Sequence, residues 1–108
     1  MATANDVSRL ALALEGTTSA PHFDRTAFKV RRIYMTLAGD GKSLNLKLTP
    51  EEQDFKTMLA PEIFAALDNG WGRQGWTAVD VAAISKDELA AVLQMAWEHG
   101  RARSPKAR

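Results

Sequence analysis

The chain has no cysteine. That excludes a disulfide framework, a thiolate nucleophile and any cysteine-ligated metal site. It has two histidines in 108 residues, so a histidine-built metal centre would need carboxylates to complete its three or four ligands. No apolar run approaches the roughly 20 residues that cross a bilayer. The start, MATANDVSR, has no basic segment leading into an apolar one, so a signal peptide is not expected. There is no G-x-S-x-G, no H-E-x-x-H and no glycine-rich cofactor fingerprint, and no catalytic residue, metal or cofactor is expected. What is present, 45% apolar and 25% charged residues, is the balance of a soluble, core-forming domain. The expectation is a cytoplasmic protein.

The length suits one domain, because two halves would each be too small to bury a core unaided. Residues 1–100 are read as that domain. Residues 101–108, RARSPKAR, carry four cations and no acid and are expected to be a disordered tail. Without those four, the rest holds 10 basic and 13 acidic residues, a net charge of −3. A basic tail can hold nucleic acid loosely by charge, or it can simply be a solvated end.

Local signals outline the elements. Thr3 or Asn5 caps a first helix that carries Val7, Leu10, Ala11 and Leu14 on one face, with Gly16 ending it. Residues 17–50 read as strands. Phe28 and Val30 share one parity; Ile33, Met35 and Leu37 share the other. A one-residue shift turns every side chain over, so a turn or bulge belongs at Arg31-Arg32. Gly39 to Lys42 is a hairpin turn, followed by alternating Leu44, Leu46 and Leu48. Thr49-Pro50-Glu51-Glu52 opens a second helix with a capping box and an expected inward stripe of Phe55, Met58 and Leu59. Residues 61–67, PEIFAAL, suggest a further short helix with Ile63, Phe64 and Leu67 inward. GWTAVDV is a last strand. Ser85 and Glu88 form a capping box for a closing helix with Leu89, Val92, Leu93, Ala96 and Trp97 inward, ended by Gly100. The order of helix, strands, helix, strand, helix predicts an α+β domain: a twisted antiparallel sheet with helices packed mainly on one face.

Three places invite a functional reading. Residues 24–47 gather Arg25, Lys29, Arg31, Arg32, Lys42 and Lys47 against Asp24 and Asp40. Such a patch suits a phosphate backbone; it also suits a wet sheet face whose charges prevent edge-to-edge pairing. The stretch 69–76, NGWGRQGW, reads as a turn into a strand, with Arg73 able to hold an anion and Trp71 the ring expected to be exposed for stacking. His22 and Asp24 would point the same way in an extended chain, as half of a metal site or as a polar strand edge.

PHFDRTAFKV, SLNLKLTPEE and GRQGWTAVD, in that order and spacing, resemble the MmcQ/YjbR family over residues 5 to about 99. The carriers are Phe28-Lys29-Val30, Leu46-Lys47, and Arg73 ahead of Trp76 and Val79. The resemblance implies a small α+β fold with a twisted antiparallel sheet, and DNA binding through a double-wing surface. Many members have glycines where this chain has Arg31-Arg32. The expected function is weak, non-specific, phosphate-directed DNA binding by Lys29, Arg31, Arg32, Lys47 and Arg73, with Trp71 stacking, in a monomer or homodimer. The alternatives are a protein-interaction module and a small-ligand binder.

Overall fold

A computed structural model describes residues 2–102. The expected disorder of the basic tail concerns residues 101–108, of which 103–108 lie outside the described residues. Arg101 belongs to the last helix, where its Nε donates to Glu98.

The first helix, α1 (Ala4–Leu12), starts at Thr3, whose hydroxyl accepts from the Asp6 N–H while the Asp6 carboxylate accepts from the Thr3 N–H. Two donors left open by the first turn are thereby satisfied. Four strands follow as a meander: β1 (Thr18–His22), β2 (Arg25–Lys29), β3 (Ile33–Ala38) and β4 (Ser43–Lys47). The β3–β4 turn closes as its sequence predicts, with Gly41 at φ 73° and Asp40 accepting from the Lys42 N–H. Then come α2 (Pro50–Leu59), β5 (Phe64–Ala66), the one-turn α3 (Gly70–Arg73), β6 (Trp76–Asp80) and α4 (Lys86–Arg101). All pairings are antiparallel, in the order β1-β2-β3-β4-β6-β5. The domain is α+β. The core lies on one face of the sheet, where Val7 and Ala11 of α1 and Leu89, Val92, Leu93 and Ala96 of α4 meet Phe28, Met35, Leu44, Leu46 and Val79. Among the described residues no helix is long and apolar enough to cross a membrane.

Several local expectations change. The parity break between β2 and β3 is resolved twice over. Residues 30–32 form the turn, and Phe28 pairs with Met35 while Lys29 pairs with Ile33, which leaves Tyr34 as the extra residue of a bulge. The bulge sends Tyr34 into the core, although it alternates with Ile33, Met35 and Leu37 in sequence, and puts Ile33, expected to share a face with Met35 and Leu37, on the open face. Neither Arg31 nor Arg32 takes a positive φ, and both N–H groups donate to the Gly100 carbonyl at 3.2 and 3.0 Å. Gly100 therefore does not end α4. It is a notch: a Cβ there would stand 2.9 Å from Cβ and Cδ2 of Tyr34.

PEIFAAL is not a helix. Phe64 to Ala66 add an edge strand to β6, with Phe64 inward. The stripe Phe55, Met58 and Leu59 faces water, and the buried residue of α2 is Gln53. The Gln53 Nε2 lies 3.0 Å from the Gly72 carbonyl, 2.9 Å from that of Trp76 and 3.3 Å from Thr77 Oγ1, and so supplies donors to acceptors that would cost free energy if left buried and unpaired. At the start of α4, Ser85 caps the Glu88 N–H, but the Glu88 carboxylate turns to Lys56 of α2 and does not complete the box.

Candidate functional site: the open face of the sheet

With the helices on one face, period-two alternation dictates what the other presents. The strand register lines up Ala20, Ala27, Thr36, Asn45, Ala78 and Ala65 across all six strands. Thr36 and Asn45, at the middle of this low row, form the floor of a cleft of about 770 Å³. On one side the wall is the β1–β2 hairpin tip, His22, Phe23 and Asp24, together with Arg25. On the other stand Arg32, Ile33, Trp71 and Trp76. The two tryptophans meet edge to face, with ring centroids 6.5 Å apart and planes at 87°. A smaller hollow of about 380 Å³ adjoins, sharing those four residues and adding Lys47 and His99.

The expected site residues do not all sit together. Lys29 ends β2 on the open face, exposed and opposite Ile33. Arg31 is exposed in the turn. Arg32 is partly committed: its guanidinium donates to the carbonyls of His99 and Ala102 at 2.8 and 3.4 Å, capping the end of α4. Lys47 stands beside Trp76 in register, and its Nζ donates to the carbonyls of Gln74 and Leu48 at 2.7 and 3.0 Å. Burial pushes the Lys47 ammonium below the usual lysine range, the Arg32 charge adds to that effect, and the Glu52 carboxylate partly offsets both. Trp71 is 59% exposed and lines the cleft. Arg73 ends α3 and lines neither hollow; its Nη2 lies over Gly70. NGWGRQGW is thus a capped helical turn, with Asn69 Oδ1 accepting from the Gly72 N–H, and then a strand.

His22 and Asp24 both reach the cleft, but not along an extended chain: His22 ends β1, and the turn runs through Phe23 at φ 60°. Sequence reasoning left Arg25 out of the site, and Thr36, Asn45, Ile33 and Phe23 too. Arg25 was visible as one more cation of the patch. What singles it out is tertiary: its Nε and Nη2 donate to Thr36 Oγ1 and O at 2.8 and 3.1 Å, which fixes the guanidinium on the floor.

Behind the hollow, Glu52 Oε1 accepts from the Thr49 N–H and lies 2.9 Å from His99 Nε2, tying α2 to α4. Burial alone would raise the Glu52 pKa. The bonds from Thr49 and His99 outweigh it, and the carboxyl lies below the ordinary glutamate range. A carboxylate whose pKa falls on folding adds stability above its unfolded pKa and loses that contribution as pH falls through the folded value. Glu52→Gln should therefore cost about 1 kcal/mol or less at pH 7. The variant and the parent should converge in urea unfolding as pH falls through the folded pKa of Glu52, below the ordinary glutamate value. A gap that does not narrow on acidification from pH 7 would place the effect elsewhere.

The YjbR family model matches residues 12–99. Among solved structures, the chain is similar to the crystal structure of the Deinococcus radiodurans protein DR2400, described with the family domain DUF419. The TM-score is 0.75 at 20% identity, over 89% of this chain and 76% of that one. At that identity the likeness bears on the fold. None of the curated proteins compared matches the chain.

Proposed function

We propose that this chain, which belongs to the YjbR family, binds single-stranded nucleic acid across the open face of its sheet. The observation that carries the reading is that Trp71 and Trp76 stand on the same uncovered face as Lys29, Arg32 and Lys47. Single strands are held where a positive groove follows the backbone and rings receive the bases. Lys29, Arg31, Arg32 and Lys47 supply the charge here, and Trp71 the exposed ring. A duplex is less well matched. It is read by a helix or ribbon that enters a groove, and this face is a hollow. The role is binding; no chemical step is assigned to it.

The test is fluorescence anisotropy of the full chain with a labelled single-stranded oligonucleotide across salt. Three to four phosphate contacts give a log–log slope of about −2 to −3. Replacing Lys29 and Arg31 by Glu should weaken binding about tenfold and leave melting unchanged, since both side chains are exposed. Arg32 is spared because it caps α4. A companion chain with Arg103, Lys106 and Arg108 replaced by Ser separates the tail from the sheet. Binding that is absent, independent of salt, or lost entirely with those tail cations would end the reading.

A further inference from the structure

Resting on that reading, the cleft itself is more specific than a basic face requires. We propose that it is a pocket for one unstacked nucleobase, with Trp71 receiving one face of the ring, Phe23 closing the opposite rim, and Arg25 and Asn45 meeting its edge.

Phe23 is the first reason. It is 94% exposed, and its backbone sits at φ 60°. A two-residue hairpin turn accepts glycine or asparagine there without strain, so a phenylalanine is disfavoured both by its backbone and by its hydration. Its ring meets the His22 ring edge to face, at 4.9 Å and 71°, and borders the cleft. Unusual backbone at the rim of a cavity is where a ligand contact is found.

The polar groups are the second reason. Thr36 uses two of the Arg25 donors, and the rest of its five N–H bonds remain for the cleft. Asn45, facing Thr36 and Ala78 in register, has a carboxamide with no hydrogen-bond partner among the described residues. That group offers donors and an acceptor together. A phosphate needs donors alone; a base edge presents both kinds. The cleft volume of about 770 Å³ lies within the range of small-molecule sites and has room for one base. Phosphates then fall to the adjoining hollow, where Arg32 and Lys47 stand on the same tryptophan wall.

The experiment uses the full chain, the four nucleoside monophosphates and short homopolymers of each base, read by tryptophan quenching and by anisotropy. Phe23→Ala and Asn45→Ala should each weaken oligonucleotide binding about tenfold, at an unchanged salt slope and an unchanged melting temperature. Asn45→Ala should also flatten the preference among bases, and Trp71→Ala should remove most of the quenching. Salt-dependent binding indifferent to Phe23→Ala and Asn45→Ala overturns the pocket and leaves the phosphate reading intact. Base-dependent quenching without salt dependence supports the pocket and overturns the phosphate reading. No binding of any probe overturns both.

Discussion

Gly75→Ala should lower the melting temperature by roughly 15 °C or more, from a loss of about 3–5 kcal/mol. Gly75 sits at φ 107°, a conformation that residues with a side chain rarely adopt. A Cβ placed there would stand 1.8 Å from the Leu48 carbonyl oxygen, closer than any side-chain adjustment can relieve. Nor can the backbone move freely. The Gly75 carbonyl accepts from the Leu48 N–H at 3.1 Å and from Thr77 Oγ1 at 2.9 Å, and its own N–H donates to Gly72. The substitution would pry β6 from the end of β4, beside the cleft. Gly70→Ala is the control: its nearest contact would be Arg73 Nη2 at 3.8 Å, and its φ is ordinary. It should be neutral, or stabilising by about 0.5 kcal/mol through the unfolded chain. Thermal unfolding of both variants decides the matter. A Gly75→Ala protein that melts within a few degrees of the parent would contradict the turn described here.

Phe64→Ala should cost about 3–5 kcal/mol, while Leu67→Ala costs about 1 kcal/mol or less. The contrast separates a strand from a helix in residues 61–67. A helix with Ile63, Phe64 and Leu67 inward would make both leucine and phenylalanine core residues. In the edge strand, Phe64 is 1% exposed and pairs with Val79, while Leu67 follows β5 on the open side and lines the cleft. The Lys56 ammonium lies 5.6 Å from the Phe64 ring centre, so truncation also removes a contact between α2 and β5. Urea unfolding of the two variants measures the difference. Equal losses would favour the helix.

The candidate site was half legible. Its charge was visible because lysine and arginine are exposed wherever the chain goes, and Trp71 because a ring between glycines in a turn has little to pack on. Arg73 lines neither hollow, and nothing within four residues tells which side of a one-turn helix a side chain takes. Arg25, Thr36 and Asn45 were invisible as a group. Each is an ordinary strand residue, and only the register of β2, β3 and β4 places them side by side.

The same division runs through the fold. Thr3, Thr49 and Ser85 start their helices, and Gly41 closes its turn, by bonds to residues two to four positions away. Leu44, Leu46 and Leu48 alternate because a strand has period two. These features were settled by the sequence itself, and with them the α+β class and the family likeness. The inward face of α2, the edge strand at Phe64, the bulge at Tyr34 and the notch at Gly100 were settled only in the folded molecule. Each depends on a partner far along the chain: Gly72, Trp76 and Thr77 for Gln53, Val79 for Phe64, Thr17 and Gly100 for Tyr34. A buried carbonyl without a donor, or a ring without a space, costs as much as a misplaced apolar side chain, and neither can be counted until the elements are packed together.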